Sequence, residues 1–237
     1  SIGDRVAGGL GQTGAYAERM VIPALGARRL PDNVDFDVVT GLNYAYGTTL
    51  YGLQHRADLQ PGETMLITGA GGAVGWSAVE IGKLMGARVI AAASSDEKLD
   101  LCRERGADEV INYSTEDLKN RAKELTDGQG VDVVYDCVGG DKAELALRAI
   151  GWEGRFLVIG FTAGIPSIPL NLALLKSCQI IGVFYGAMTM REPEKNAAIS
   201  NQLIEWVSNG DLQPHVSGHY PLERAGEALR AMIDRKA

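Results

Sequence analysis

From Glu63 onward, short apolar runs alternate with longer amphipathic stretches. TMLIT (64–68), RVIAA (88–92), EVINY (109–113), VDVVYD (131–136), RFLVIG (155–160) and CQIIGVF (178–184) are rich in β-branched residues and bounded by turn residues. This pattern predicts six strands. Between the first five, residues 75–86, 96–105, 115–125 and 141–149 read as helices. Strands that are nearly continuous in apolar character and separated by helices belong to a parallel sheet covered on both faces, here a doubly wound one.

The flanks read differently. The opening SIGDRVAGGLGQTGAYAERMVIP alternates like strands at 5–7 and 15–22 joined by glycine turns. So little strand cannot bury a face alone, and the expectation is that part of a domain lies ahead of it. Residues 33–59 read as a linking helix, ended by Pro61-Gly62. Farther on, Ile199, Leu203, Trp206 and Val207 fall at i, i+4, i+7 and i+8, one helical face stopped by Asn209-Gly210. A short strand near 215–220 and a helix over 222–234 complete the pattern. The expected division is 1–45, 46–186 and 187–237, the middle segment being the nucleotide-binding sheet.

Composition changes this picture little. Of 237 residues, 46% are hydrophobic and 22% charged, as in an ordinary globular protein. A net charge of −7 argues against a nucleic-acid partner, which needs clustered Lys and Arg. No apolar run is long enough to read as a membrane span. Three separated cysteines (Cys102, Cys137, Cys178) suggest reduced thiols and a cytoplasmic setting.

The chemistry starts at TGAGGAVG (68–75). Ala70-x-Gly72-x-x-Gly75 follows a predicted strand and opens a predicted helix, the context in which such a motif signals dinucleotide binding. Gly72 would let a pyrophosphate approach the backbone, and Gly75 would let helix and strand pack closely. The helix N-terminus supplies N–H groups for phosphates. Ala70 departs mildly from the usual first glycine. At the end of the second strand, an NAD site usually carries Asp or Glu for the ribose hydroxyls. This chain has AAASS (91–95) instead. Ser94 and Ser95 can donate to a 2′-phosphate, and Lys98, one turn on, can bring a positive charge. Asp96 is the counter-argument, but at a helix start its simplest role is to stabilise that terminus. The reading favours NADPH over NADH; Lys98 as an ordinary solvated lysine stays open.

Over essentially its whole length the chain resembles the medium-chain dehydrogenases/reductases, specifically the zinc-independent quinone oxidoreductase (zeta-crystallin-like) branch. The likeness rests on GDRVAG (3–8), GAYAERMVIP (14–23), YGTTLYGL (46–53), PGETMLITGAGGAVG (61–75), GADEVINY (106–113), GVDVVYDCVGG (130–140) and WEGRFLVIGFTAG (152–164). It implies an α/β fold: a doubly wound six-stranded parallel Rossmann sheet with the remnant of a GroES-like β-barrel domain formed by both chain ends. It also implies roles. Thr48 would meet the nicotinamide side of the cofactor. Ala73 and Val74 would lie in the phosphate turn, beside Gly72. Lys98 and Tyr113 would surround the 2′-phosphate. Val138-Gly139, Phe161-Thr162 and Phe184-Tyr185 would enclose the nicotinamide, although Phe161 and Phe184 as packing residues stay open. Family members carry further residues before this chain's start and a Gly-Lys strand after its RKA end. Where a proline often stands near Asn43 the chain reads GLNYAYGTT, so Asn43, Tyr44 and Tyr46 would shape the cleft individually.

Other chemistries find little support. His215 and His219 have a metal-like spacing, but Pro214, Gly218 and Pro221 break the segment and no partner ligand is near in sequence. Zinc-dependent relatives place a ligand where this chain has Thr40-Gly41, so no metal is expected. No Gly-x-Ser-x-Gly elbow suggests a hydrolase. The reading is an NADPH-dependent reductase of a quinone or related conjugated acceptor, with Tyr46 and Thr48 as candidate catalytic residues. It would be a homodimer through strand 178–186, with no nucleic acid and no membrane. The alternatives are an enoyl or enone reductase and, from another class, a crystallin-like or RNA-associated nucleotide-binding protein with little turnover.

Overall fold

A computed structural model describes residues 1–8 and 14–234. The chain divides into two compact units, 1–42 with 200–237, and 43–199. The helices that follow the last strand up to residue 199 belong to the unit that holds the sheet.

The larger unit is built on six parallel strands: β3 (Thr64–Thr68), β4 (Arg88–Ala93), β5 (Glu109–Asn112), β6 (Val131–Asp136), β7 (Ile150–Val158) and β8 (Gln179–Gly182), with β1 and β2 lying in the smaller unit. Their order is β5-β4-β3-β6-β7-β8. The chain steps outward from β3 to β5, then returns to lay β6 beside β3. That reversal between β3 and β6 is where open α/β sheets bind ligands, beyond the carboxyl ends of the strands.

The connections are helices α3 (Ala73–Leu84), α4 (Asp96–Glu104), α5 (Leu118–Glu124) and α6 (Gly140–Ala149). The central strands are buried on both faces, as their apolar runs require: Leu66, Ile90, Val134 and Phe156 pack into one core with Ala146 and Leu147 of α6. After β7 come α7 (Asn171–Lys176), β8, α8 (Tyr185–Arg191) and α9 (Pro193–Asn209). The sixth strand is shorter than its sequence run. It ends at Gly182, and Tyr185 already begins α8.

The linking segment is helical from Phe36 to Arg56: α1 (Phe36–Gly41) and α2 (Gly47–Leu50), each followed by a wide π turn, Leu42–Tyr46 and Tyr51–Arg56. Such turns are rare and concentrate at functional positions.

In the smaller unit β1 (Val6–Gly8) pairs antiparallel with β2 (Ala27–Arg29). Gly8 allows the approach, since a Cβ there would lie 2.4 Å from the Gly26 carbonyl oxygen. The strand expected over 15–22 does not form. Its alternating side chains stand exposed, Tyr16 and Val21 among them, and no ladder pairs it among the described residues. Residues 215–220 likewise carry no ladder; Pro214 and Pro221 withhold two backbone donors at their borders. The last helix is α10 (Ala225–Ile233). The expected glycine turn at 9–13 and the closing residues 235–237 lie outside the described residues.

Candidate functional site

The site is assembled at the carboxyl edge of the sheet. β3 runs into Gly69, whose φ of +67° turns the chain. Ala70 then donates its N–H to the Ala92 carbonyl at 3.0 Å, and its methyl group is fully buried. Alanine is accommodated here because the turn itself is made one residue earlier. Gly75 is required by distance, since a Cβ would lie 2.2 Å from the Gly69 oxygen. Gly72 differs: a Cβ there would meet nothing nearer than 3.5 Å, so its bareness leaves open space. It caps α3 without any side-chain bond, and the first N–H groups of the helix stay available to an anion. That open cradle at the start of a three-turn helix fits a pyrophosphate.

At the ends of β4 and β5 two loops are stitched together. Tyr113 N–H donates to the Ala93 carbonyl at 3.1 Å, and the Ser114 hydroxyl donates to the Ser94 carbonyl at 2.9 Å. Ser95 is the N-cap of α4, and Lys98 follows within the first turn. The Lys98 stem packs across the phosphate loop, 2.6 Å from where a Cβ on Gly71 would stand. Asp96 accepts the Asn112 amide at 2.8 Å. Its carboxylate is thus engaged by the last residue of β5. Sequence reasoning missed Lys142, in the first turn of α6. Its ammonium lies 5.3 Å from the centroid of the Tyr113 ring and 3.4 Å from the Tyr113 carbonyl oxygen.

The loops after β6 and β7 are tied into one wall. Ala163 N–H donates to the Val138 carbonyl and Gly140 N–H to the Gly164 carbonyl, each at 2.8 Å. The Thr162 hydroxyl donates to the Cys137 carbonyl at 3.4 Å. Gly139 has φ +68°, and a Cβ there would lie 2.6 Å from the Gly164 oxygen. Asp136, also missed by the sequence reading, anchors this wall. Its buried carboxylate accepts the Thr68 hydroxyl and the N–H groups of Val138 and Gly139. Burial raises its pKa above the ordinary carboxylate value, and those three donors draw it back down. The signal was present in its place as the last residue of VDVVYD, a carboxylate closing an otherwise apolar central strand.

The aromatic pairs separate. Phe161 stays half exposed and Phe184 is 76% exposed, both open to a ligand. Tyr185 instead turns inward. Its hydroxyl donates to Asn196 at 2.9 Å, and its ring fills the space beside Gly47. Burial pushes its phenol up to about 12.

On the linking helix, the Thr48 hydroxyl donates to the Tyr44 carbonyl at 2.6 Å. Tyr46 does not stand where a catalytic proton donor would. It is 4% exposed and its hydroxyl donates to Glu80 on α3, which also accepts Arg105 at 2.8 Å. Burial and the Glu80 charge push the phenol far above its ordinary value. Glu80 lies seven residues into α3, about 10 Å along the helix from the phosphate end. The structure therefore packs Tyr46 rather than presenting it, with the Glu80 carboxylate within reach of its hydroxyl.

Among the described residues, no group of three or more His, Cys, Asp and Glu side chains is arranged to hold a metal ion. His219 instead faces Asp37 at 3.5 Å. No helix among them is long and apolar enough to cross a membrane.

Comparison with known proteins supplies a family. Residues 73–201 match the family model described as zinc-binding dehydrogenase. The chain is 39% identical over 240 residues to quinone oxidoreductase-like protein 2 homolog of Nematostella vectensis, covering 100% of this chain and 66% of that protein. It is 34% identical to a quinone oxidoreductase of Pseudomonas aeruginosa, covering 99% of this chain and 73% of the relative. Among solved structures, Escherichia coli quinone oxidoreductase complexed with NADPH superimposes with a TM-score of 0.87 at 30% identity, over 99% of this chain and 73% of that one. The chain thus spans about two thirds of the length of the relatives it matches.

Proposed function

The chain belongs to the zinc-independent, quinone oxidoreductase-like family of the medium-chain dehydrogenases/reductases, and from that premise we propose that it serves an NADPH-dependent reduction of a quinone. The observation that carries the cofactor half of this reading is the end of β4. Two serines and Lys98 stand there, and of the two carboxylates in the first turn of α4, Asp96 is held by Asn112 and Glu97 is hydrogen-bonded to Ser95. A free carboxylate would repel a 2′-phosphate, whereas hydroxyls and an ammonium attract it.

The remaining residues are given roles on the same geometry. Gly72, Ala73 and Val74 hold the pyrophosphate on the N–H groups of α3. Ser94, Ser95, Lys98 and Tyr113 surround the adenosine ribose. Val138-Gly139 and Phe161-Thr162, joined as one wall, enclose the nicotinamide together with Thr48 and the exposed Phe184. Tyr185 acts from behind by holding α8 against Gly47. When bound, NADPH supplies a hydride. The chain's part is to orient both partners and keep water from the reacting centre. A quinone takes up that hydride and a proton from water, so the reaction needs no acid fixed in this chain.

The proposal includes a homodimer through the outer edge of β8. Ile180 on that strand is 40% exposed, and Leu174 and Leu175 on α7 are exposed too. An apolar edge strand needs cover, and pairing with its twin across a two-fold axis provides it.

The test is a panel of quinones, enones and enoyl thioesters, each offered with NADPH and with NADH. Quinone reduction that prefers NADPH is expected. Turnover confined to enoyl thioesters, or a preference for NADH, would overturn the corresponding half of the reading.

A further inference from the structure

Strands β5 and β6 are three positions apart in the sheet, with β4 and β3 between them. At the usual spacing their axes are separated by about 14 Å. Nevertheless, the residues that follow the two strands meet. Lys142, two residues into α6 and so just past β6, places its ammonium 5.3 Å from the ring centroid of Tyr113, the residue after β5. The same ammonium lies 3.4 Å from the Tyr113 carbonyl oxygen. Helix α6 packs against α5, and from its first turn the Lys142 side chain rests on the aromatic face of a residue at the far loop.

Lys142 is partly buried, and among the described residues neither it nor Lys98 forms an ion pair with a carboxylate. Most of the ion pairs in the molecule lie elsewhere, on helix surfaces and at the amino ends of strands, as for Lys83 with Asp108 and Arg155 with Glu63. Two ammonium groups without carboxylate partners thus stand at one end of the carboxyl edge. Lys98 comes from the helix after β4, and Lys142 from the helix after β6.

We infer that Lys142 is a second determinant of selectivity for a ribose that carries a phosphate. It holds the Tyr113 ring by a cation–π contact and brings a positive charge to the side of the ribose opposite Lys98. This rests on the reading of the Ser94–Lys98 segment as the adenosine end of the site. Nothing in the sequence pattern marks Lys142 for the role, because its partner lies twenty-nine residues away on another loop.

The experiment measures binding of 2′,5′-ADP and 5′-ADP to the full chain by calorimetry, for the parent, Lys142→Gln, Lys142→Arg and Lys98→Gln. The parent should prefer 2′,5′-ADP. Lys142→Gln should weaken 2′,5′-ADP by about fivefold to tenfold while leaving 5′-ADP within about twofold, as expected for one partly solvated charge contact. Lys142→Arg should retain most of the preference, since it keeps the charge and the stacking. A parent without preference would defeat the reading of the adenosine end and this inference with it. A parent with the preference, undiminished in Lys142→Gln, would defeat the inference alone. Equal losses for both nucleotides in Lys142→Gln, not rescued by arginine, would assign the residue a purely structural part and also overturn it.

Discussion

Thr68 at the end of β3 donates its hydroxyl to Asp136 at the end of β6, 2.5 Å away, and the two are register neighbours in the sheet. They lie on the two strands that flank the topological reversal, so one buried hydrogen bond ties the carboxyl ends of those strands together. The same carboxylate holds the N–H groups of Val138 and Gly139 at 3.1 and 3.2 Å.

Thr68→Val should therefore act on the Val138-Gly139 loop, proposed above to enclose the nicotinamide, and not only on the strand. Loss of a buried bond to a charged group costs about 1.5–3 kcal/mol. It also removes one of the donors that lower the Asp136 pKa, so the carboxyl should protonate at a higher pH than in the parent. The folded pKa is raised by burial. The stabilising contribution of Asp136 is therefore present below the unfolded carboxylate range and is lost as pH rises through the folded value. The grip on Val138 and Gly139 follows the opposite course, because the two N–H donors bind an ionised acceptor more strongly than a neutral one. On acidification the variant should lose cofactor affinity at a pH where the parent still binds. Coincident profiles would remove Asp136 from this role.

Lys98→Ala should weaken NADPH and leave NADH nearly unaffected. A charge-assisted contact is worth roughly 1.5–3 kcal/mol, about tenfold or more in affinity. Fluorescence titration with both cofactors measures the ratio directly, and equal losses would mean that Lys98 does no more than cover Gly71.

Legibility followed the range of the interactions. The six strands and their connecting helices were visible because burial on both faces writes a continuous apolar run into each of them. The tight strand-to-helix turn was visible because Gly75 is a local requirement, its missing Cβ letting α3 approach Gly69. What the sequence hid was mostly long-range. Asp136 and Thr68 meet across two strands, and Lys142 reaches a ring on a distant loop. Tyr46 read as a candidate acid because its partner Glu80, thirty-four residues on, could not be seen. The strand expected over 15–22 failed for a related reason: alternation shows which side chains differ, but a strand exists only when another backbone pairs with it.

The two glycines of the motif should fail in different ways. Gly75→Ala forces a methyl group to within 2.2 Å of a backbone oxygen, so α3 must shift from β3 and the fold should lose several kcal/mol. Gly72 has φ −101°, ordinary for any residue, and its Cβ space is open. Gly72→Ala should melt within a few degrees of the parent and yet bind cofactor poorly, because the methyl occupies the approach to the helix N-terminus. If Gly72→Ala bound as tightly as the parent, the cradle would have to lie elsewhere.

Ile180→Lys tests the dimer. Val183 is a poor probe because its N–H donates inward to Val158, so altering it would damage β7–β8 pairing. Ile180 stands on the outer strand and is partly exposed, so a charge there should repel its twin with little effect on the monomer. Light scattering should show a dimeric parent and a variant shifted toward monomer at micromolar concentration. A monomeric parent would contradict the proposed pairing.

The reaction itself is tested by what Tyr46 does not do. Oxidising a simple alcohol requires a group that takes the hydroxyl proton as hydride leaves, either a metal-bound oxygen or a positioned base. At the carboxyl edge, Asp136 already accepts three donors, and Tyr46 is buried with its hydroxyl committed to Glu80. A quinone makes no such demand, since the anion formed by hydride addition is delocalised and can be protonated by water. The protein should therefore reduce quinones with NADPH and oxidise simple alcohols negligibly with NADP. Tyr46→Phe should leave the quinone rate within about threefold of the parent, because the proton comes from solvent. Its effect should appear in stability instead. Glu80 would lose one of its donors in a largely buried setting, a loss of about 1.5–3 kcal/mol that thermal melting can read. A Tyr46→Phe variant that melts like the parent but has lost quinone reduction would return Tyr46 to the chemistry. Robust alcohol oxidation by the parent would point to a base that this reading of the site has not recognised.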